Sequence, residues 1–471
     1  MSATATTEKK YLKWYQKLAY GSGDLASNCS YGLVSSFVLL YLTGTLGLDS
    51  AIIGSLMLAS KVLDGISDVI FGTLIDRTHS KLGKARPWML FGQVGVSLCL
   101  FLLFAIPAGS TTMQYIYFFI VYTALNAVFY TANGIAYSSL VALITKNNNE
   151  RVQLGSFRFM FAVVTNIFMG FAVTGMVEKF GSGAAGWRTT ALIFAIVGLV
   201  VNTISCLAVK ELPEEELSGN TSEAAEEGKA VAKEKKHGFA ETAKILIHNK
   251  YYLMILAIYI VYYIMSNLTT GAGVFCATYY WGDGSLLGQF SMMKMFPVII
   301  ALAIAPVLIK KTGSMQKVNF WGYAISSVLG IPMIYFAMQK NISMFLLFMF
   351  IKGIFAGTLS GSLNALIAEA SGYTTRTTGV HMDGMMYSCS SLGVKVGGGI
   401  GTAAVGWLLK LGGFVGTATV QSESAIRMIF NLYITFPFIL GIVITVLLAF
   451  LDVEKANKKW DADHAQKEAQ I

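Results

Sequence analysis

Two carboxylates inside an apolar run are the residues of this chain best suited to chemistry. Asp64 and Asp68 stand four residues apart in KVLDGISDVIFG, so a helix puts them on one face. Lys61 lies one turn earlier on the same side. A charge at the centre of a membrane helix costs ~2.5–3.5 kcal/mol on insertion scales. Such a pair persists only against protein, water or a bound cation. Two hard carboxylate oxygens suit Na⁺, or they bind and release a proton. The alternative is a structural ion pair, with Lys61 or Lys395 neutralising one acid. Tyr130 and Thr131 offer neutral oxygen donors to a cation site. Lys395 offers a fixed positive charge that can fill the site when the cation leaves. It sits in LGVKVGGGIG, where Gly393, Gly397, Gly398, Gly399 and Gly401 allow close helix approach.

Other polar residues interrupt the apolar runs. Asp24 and Asn28 share a face of the first. Arg158 begins the fifth, in GSFRFMF. Its planar fork suits a carboxylate or sugar hydroxyls; the alternative is an anchor to lipid headgroups. Lys294, in SMMKMFPVII, and Lys352, in MFIKGIF, lie in the second half without an acid nearby in sequence. The first half holds most buried acids and the second mostly buried bases. That asymmetry permits a substrate carrying negative charge.

The elements that must position these residues are membrane spans. Of 471 residues, 55% are hydrophobic and 13% charged, against about 25% charged in soluble domains. Apolar runs of membrane-spanning length recur along the chain and predict twelve spans. Their approximate limits are Leu18–Tyr41, Ala51–Ile75, Trp88–Pro107, Gln114–Ile144, Phe157–Val177 and Thr189–Val209. The second set is Tyr251–Tyr280, Gly288–Ile309, Val318–Met338, Met344–Ala368, Met385–Leu411 and Ile426–Leu451. The chain is therefore expected to hold a six-helix bundle with a cytoplasmic N-tail over residues 1–209. A charged linker follows over 210–250, then a second bundle over 251–451 and a C-tail over 452–471. The opening MSATATTEKK lacks a cleavable apolar core and reads as a retained tail. Lys and Arg fall mostly in alternate loops, which accounts for the net charge of +9 without nucleic acid and puts both termini in the cytoplasm. Loop residues Lys179 and Arg188 break that pattern. Gly72-Thr-Leu-Ile-Asp76-Arg77 and Pro306-Val-Leu-Ile-Lys310-Lys311 follow the second and eighth spans as degenerate copies. An all-α membrane protein of two pseudo-symmetric six-helix halves points to the major facilitator fold, with a central site between the halves. The five cysteines have no metal spacing and suggest no disulfide framework. No nucleotide loop, metal-protease motif or nucleophile–base constellation is present, which excludes ATP-driven transport and an enzyme.

Seven motifs resemble one family, the glycoside–pentoside–hexuronide:cation symporters, which include the bacterial melibiose and glucuronide carriers. They are YGSGDLASN, KVLDGISDVIFG, RTHSKLGKARPW, YTANGIAYSSL, ERVQLGSFRF, SNLTTG and YSCSSLGVKVGG, spread over both halves. The resemblance implies a sugar or glycoside carried inward with Na⁺ or H⁺ across the plasma membrane, by a functional monomer without a cofactor. It assigns Asp64, Asp68, Thr131 and Lys395 to cation binding and coupling. It also matches Arg158 to a helix-five arginine; with the other polar residues the candidate substrate-binding set is Asn28, Asp24, Arg158, Tyr130, Asn133 and Lys294. Asp76, Arg77 and Arg151 would form a cytoplasmic gate. The melibiose branch has sugar-binding acids where this chain has Asn28 and Gly134, so galactoside recognition does not carry over. The family's acidic run before the eleventh span reads Gly372-Tyr373-Thr374-Thr375, and its Arg-x-Glu reads His381-Met382-Asp383. Two other readings remain: transport of an amphiphile such as a lysophospholipid, and a membrane sensor that does not transport.

Overall fold

The computed structural model describes residues 9–213, 245–379, 383–418 and 420–468. Among these residues eleven helices are long and apolar enough to cross a membrane. A further 27-residue helix, Ser50–Asp76, carries the two acids. In chain order the helices are α1 (Trp14–Thr45), α2 (Ser50–Asp76), α3 (Arg86–Leu103), α4 (Thr111–Ile144), α5 (Asn148–Lys179) and α6 (Gly183–Leu207). The second series is α7 (Lys250–Tyr280), α8 (Leu286–Thr312), α9 (Met315–Met338), α10 (Ile342–Thr378), α11 (Asp383–Leu411) and α12 (423–450). No strand occurs among the described residues.

Local chemistry sets the helix ends. Ser110, Asn147, Asn249, Ser314, Asn341 and Ser422 each accept a bond from a first-turn N–H. Each cap satisfies a donor that the helix itself cannot. Hydropathy places the fifth span at Phe157–Val177, yet α5 begins at Asn148 because the Asn147 cap extends it through polar residues. Arg158 therefore stands almost three turns inside the helix rather than at its start. Likewise α10 runs ten residues past Ala368, to Thr378.

The internal repeat is far clearer in the backbone than in the sequence. α1 closes in a π-helical turn, Tyr41–Thr45, and α7 closes in another, Cys276–Tyr280. Leu46 N donates to Tyr41 O and Leu48 N to Leu42 O; Trp281 N donates to Cys276 O and Asp283 N to Ala277 O. A glycine of positive φ follows each turn at the same offset, Gly47 (70°) and Gly282 (81°). A second pair of matching devices lies after α6 and α12. Glu211 accepts the N–H groups of Lys84, Ala85 and Arg86 at 2.7, 2.9 and 3.1 Å, capping α3. Glu454 accepts the Ser314 hydroxyl and the N–H groups of Met315 and Gln316 at 2.8 and 3.2 Å, capping α9.

Two compact units divide the described chain. Residues up to Asp49, with Ser55 to 213, form the first; Ser50–Gly54, with 245 onward, form the second. The first unit packs Tyr20, Met89, Tyr137, Leu140 and Ile144 into its core. The second packs Tyr252, Ile255, Ile258, Leu366, Ile367 and Leu448. Within it α7 and α11 touch backbone to backbone: a Cβ on Gly397 would lie 2.5 Å from Ile260 O, and one on Gly401 2.6 Å from Ile264 O. The small residues of LGVKVGGGIG serve the close approach expected of them. All five cysteines are free and buried.

The expected polar tail is largely a helix, α13 (Val453–Glu468). Glu454 anchors it to α9, and Asn457 Nδ2 donates to Glu369 Oε2 at 2.8 Å. Capping and anchoring by so few polar side chains leave no apolar run to signal the helix in advance. The charged linker expected over 210–250 falls mostly on residues 214–244, which lie outside the described residues, as do His381 and Met382.

Candidate functional site

α2 and α4 meet at the acids. α4 departs from α-helical geometry over Ala124–Tyr130, a seven-residue π-helical segment that ends where the two proposed oxygen donors begin. Such segments interrupt helices mostly at functional positions. Thr131, the next residue, lies with its Oγ1 2.6 Å from Asp64 Oδ1 and 2.9 Å from the Asn126 carbonyl. Lys61 Nζ lies 3.5 Å from Asp64 Oδ2. Asp64 is thus held by a hydroxyl on one oxygen and an ammonium on the other. Asp68 follows one turn on, half-buried. Carboxylate and hydroxyl oxygens are the hard donors that small cations prefer.

A second polar cluster joins α1, α4 and α5. Arg158 Nε lies 2.6 Å from Asp24 Oδ2, and its guanidinium covers the Tyr137 ring at 4.2 Å. Tyr137 Oη donates to Tyr20 O at 2.8 Å, while Tyr20 Oη donates to Tyr137 O at 2.5 Å. This reciprocal pair locks α1 to α4 beneath the arginine. One turn after Asp24, Asn28 accepts from Asn166 Nδ2 at 2.9 Å. Tyr31, a further turn along, stacks on Tyr130, with ring centroids 5.6 Å apart. Tyr130 precedes Thr131. A path therefore leads from Asp64 to Thr131, through its chain neighbour Tyr130 to Tyr31, and along α1 past Asn28 to Asp24 and Arg158. A Cβ on Gly134 would meet nothing within 4 Å, so open space faces the α4 position where the melibiose branch has an acid.

Within the first unit one proposed substrate residue, Asn133, does not join this set. Asn133 is buried against α3 and α6: Nδ2 donates to Met89 O at 2.8 Å, and Asn202 reaches the same carbonyl at 2.9 Å. It is a packing residue, held by α3 and α6, whereas Tyr130 stacks on Tyr31 of α1. Lys294 and Lys395 belong to the second unit. Lys294 Nζ lies 3.3 Å from Thr269 Oγ1 and 3.2 Å from Thr270 Oγ1. Of the gate residues, Asp76 and Arg77 are exposed at the end of α2, and Arg151 Nε donates to Thr145 O at 3.1 Å. Arg86, in the same basic loop, is buried and donates to Cys206 O at 3.2 Å, so part of that loop's charge is structural.

Sequence reading overlooked Asn166 and left Tyr20, Tyr31 and Tyr137 undistinguished among many aromatics. A signal for Asn166 existed: it stands eight residues from Arg158, on the same face of one helix. No comparable signal selects the tyrosines, because their roles depend on which helices meet.

Comparison with known proteins fits this architecture. A family model described as "MFS/sugar transport protein" matches residues 19–455. The isoprimeverose transporter of Lactiplantibacillus pentosus is 26% identical over 98% of this chain and 93% of its own length. The glucuronide carrier protein homolog of Escherichia coli K12 is 23% identical over 88% and 87%. The crystal structure of a D-xylose-proton symporter superimposes with a TM-score of 0.64 at 12% identity, covering 94% of this chain and 98% of that one. That likeness establishes the major facilitator fold. With its many apolar helices the chain is a multi-pass membrane transport protein, not an enzyme, and it belongs to the MFS/sugar transport protein family.

Proposed function

We propose that this protein is a cation-coupled symporter that imports a sugar or glycoside by alternating access across the plasma membrane, as a monomer with both termini in the cytoplasm. The observation that carries the reading is the placement of the Thr131–Asp64 bond, the Tyr130–Tyr31 stack and the Asp24–Arg158 pair along the shared helices α1 and α4. The names of the related isoprimeverose transporter and glucuronide carrier homolog favour a glycoside substrate.

The mechanism is linkage. Na⁺ or H⁺ at Asp64 and Asp68 withdraws their negative charge and orders Thr131 and Tyr130. Tyr31 then presents the polar face of α1, with Asn28 and Asp24, to sugar hydroxyls. Arg158, already oriented by Asp24 and Tyr137, adds a planar donor fork. Each ligand strengthens the other's binding by the same factor. Movement of one helical bundle against the other exposes the loaded or empty site to either side.

Uptake in membrane vesicles tests this, with a panel of neutral and acidic glycosides under an imposed Na⁺ or pH gradient. Asp64→Asn and Asp68→Asn are each expected to abolish accumulation while leaving the protein in the membrane. Undiminished gradient-driven uptake in both variants would refute the assignment.

A further inference from the structure

The second unit contains two ammonium groups that no described side chain of that unit neutralises. Lys294 on α8 and Lys352 on α10 line one cavity of about 190 Å³, every wall of which belongs to that unit. Among the described residues Lys294 Nζ reaches only the hydroxyls of Thr269 and Thr270. Among the described residues no side chain hydrogen-bonds, pairs with or stacks on Lys352. Among the described residues no carboxylate lines the cavity. The sequence makes one hard to supply: α7, α8 and α9 contain no Asp or Glu. Glu369 lies 17 residues beyond Lys352 on α10, about 25 Å along the axis at 1.5 Å per residue.

Two uncompensated charges inside a membrane bundle are costly. Residues under such strain are kept where a ligand relieves it. The walls describe that ligand. Beside the lysines stand hydroxyls, Thr269 and the bonded Tyr262–Ser360 pair at 2.8 Å. The remaining lining is largely apolar, with Met293, Met349 and Phe345. The volume equals roughly six waters at about 30 Å³ each, more than one halide needs.

We propose that this cavity binds a small monocarboxylate with an apolar body, its carboxylate bridging Lys294 and Lys352. The site lies within the second unit and does not rest on the sugar-site reading.

Calorimetric titration of the purified full-length protein with benzoate tests the proposal, with benzyl alcohol as the uncharged control. Benzoate is expected to bind saturably and benzyl alcohol at least tenfold more weakly. Lys352→Met and Lys294→Met should each weaken benzoate at least tenfold, and Lys352→Arg should restore most of the loss. Melting curves supply an independent readout. Without ligand, Lys352→Met should melt no lower than the parent, because it removes an uncompensated charge. Benzoate should raise the melting temperature of the parent and not that of the variant. The proposal fails if the parent does not bind benzoate, if both Met variants bind it as the parent does, or if ligand-free Lys352→Met melts well below the parent.

Discussion

Thr131 stands between two acceptors, with its hydroxyl oxygen 2.6 Å from Asp64 Oδ1 and 2.9 Å from the Asn126 carbonyl. Its single proton can serve only one of them at a time. A cation on Asp64 withdraws that carboxylate as an acceptor. The hydroxyl can then turn its proton to Asn126 and offer a lone pair to the ion. Thr131→Ala removes both the orienting bond and the cation ligand. A hydrogen bond to a charged group contributes about 1.5–3 kcal/mol, so the half-saturating cation concentration for uptake should rise at least tenfold. Thr131→Ser, which keeps the oxygen, should stay close to the parent. Equal cation dependence in the parent and Thr131→Ala would remove Thr131 from the site.

The Asp24–Arg158 pair is partly buried, with side-chain exposures of 17% and 24%. Breaking a buried pair by removing one partner leaves the other charge stranded, at a cost of about 3–5 kcal/mol; partial exposure puts this pair at or below the lower end. Asp24→Asn and Arg158→Gln should each lower the melting temperature of the detergent-solubilised protein. The double variant should recover part of that loss. Strict additivity of the two single effects would show that the residues do not interact.

How much of this was legible depended on distance along the chain. Asp64 and Asp68 could be read directly, because four-residue spacing puts two side chains on one helical face whatever surrounds them. Twelve spans could be read because apolar runs report the membrane itself. Helix ends were less visible: α5 starts well before the apolar run because Asn147, a single cap residue, extends it. Asn133 and Tyr130 lie three residues apart in one motif, and only the neighbours of α4 decide that one bonds α3 and the other stacks on α1. The π-helical turns in α1, α4 and α7 leave no compositional trace, although Thr131 could be named as an oxygen donor to the acids without them.

Tyr31 and Tyr130 form the narrowest link between the two polar clusters, joined by ring stacking alone. If that stack transmits linkage, its removal should reduce coupling more than affinity. In Tyr130→Ala the cation should still bind but improve sugar affinity by a smaller factor than in the parent. The sugar should improve cation affinity by the same smaller factor, because coupling free energy is reciprocal. Tyr130→Phe, which preserves the rings, should retain most of it. Both factors can be measured by binding titrations at several fixed concentrations of the other ligand. An unchanged factor in Tyr130→Ala would mean that coupling takes another route.

Glu211 and Glu454 cap corresponding helices in the two units, although only the glutamate itself is shared between Val209-Lys-Glu211 and Asp452-Val-Glu454. Each carboxylate accepts backbone N–H groups at the positive end of a helix, α3 or α9, where a negative charge is favoured. Loss of a cap costs about 0.5–2 kcal/mol, and a carboxylate serving two or three donors belongs at the upper end. Glu211→Ala and Glu454→Ala should therefore lower the melting temperature to similar extents. Glu211→Gln should do so less, since the amide oxygen still accepts. Glu454 also joins α13 to α9, so its loss should in addition increase protease cleavage near Val453 without affecting the first unit. A melting loss in one variant and none in the other would show that the two caps do not play equivalent structural roles.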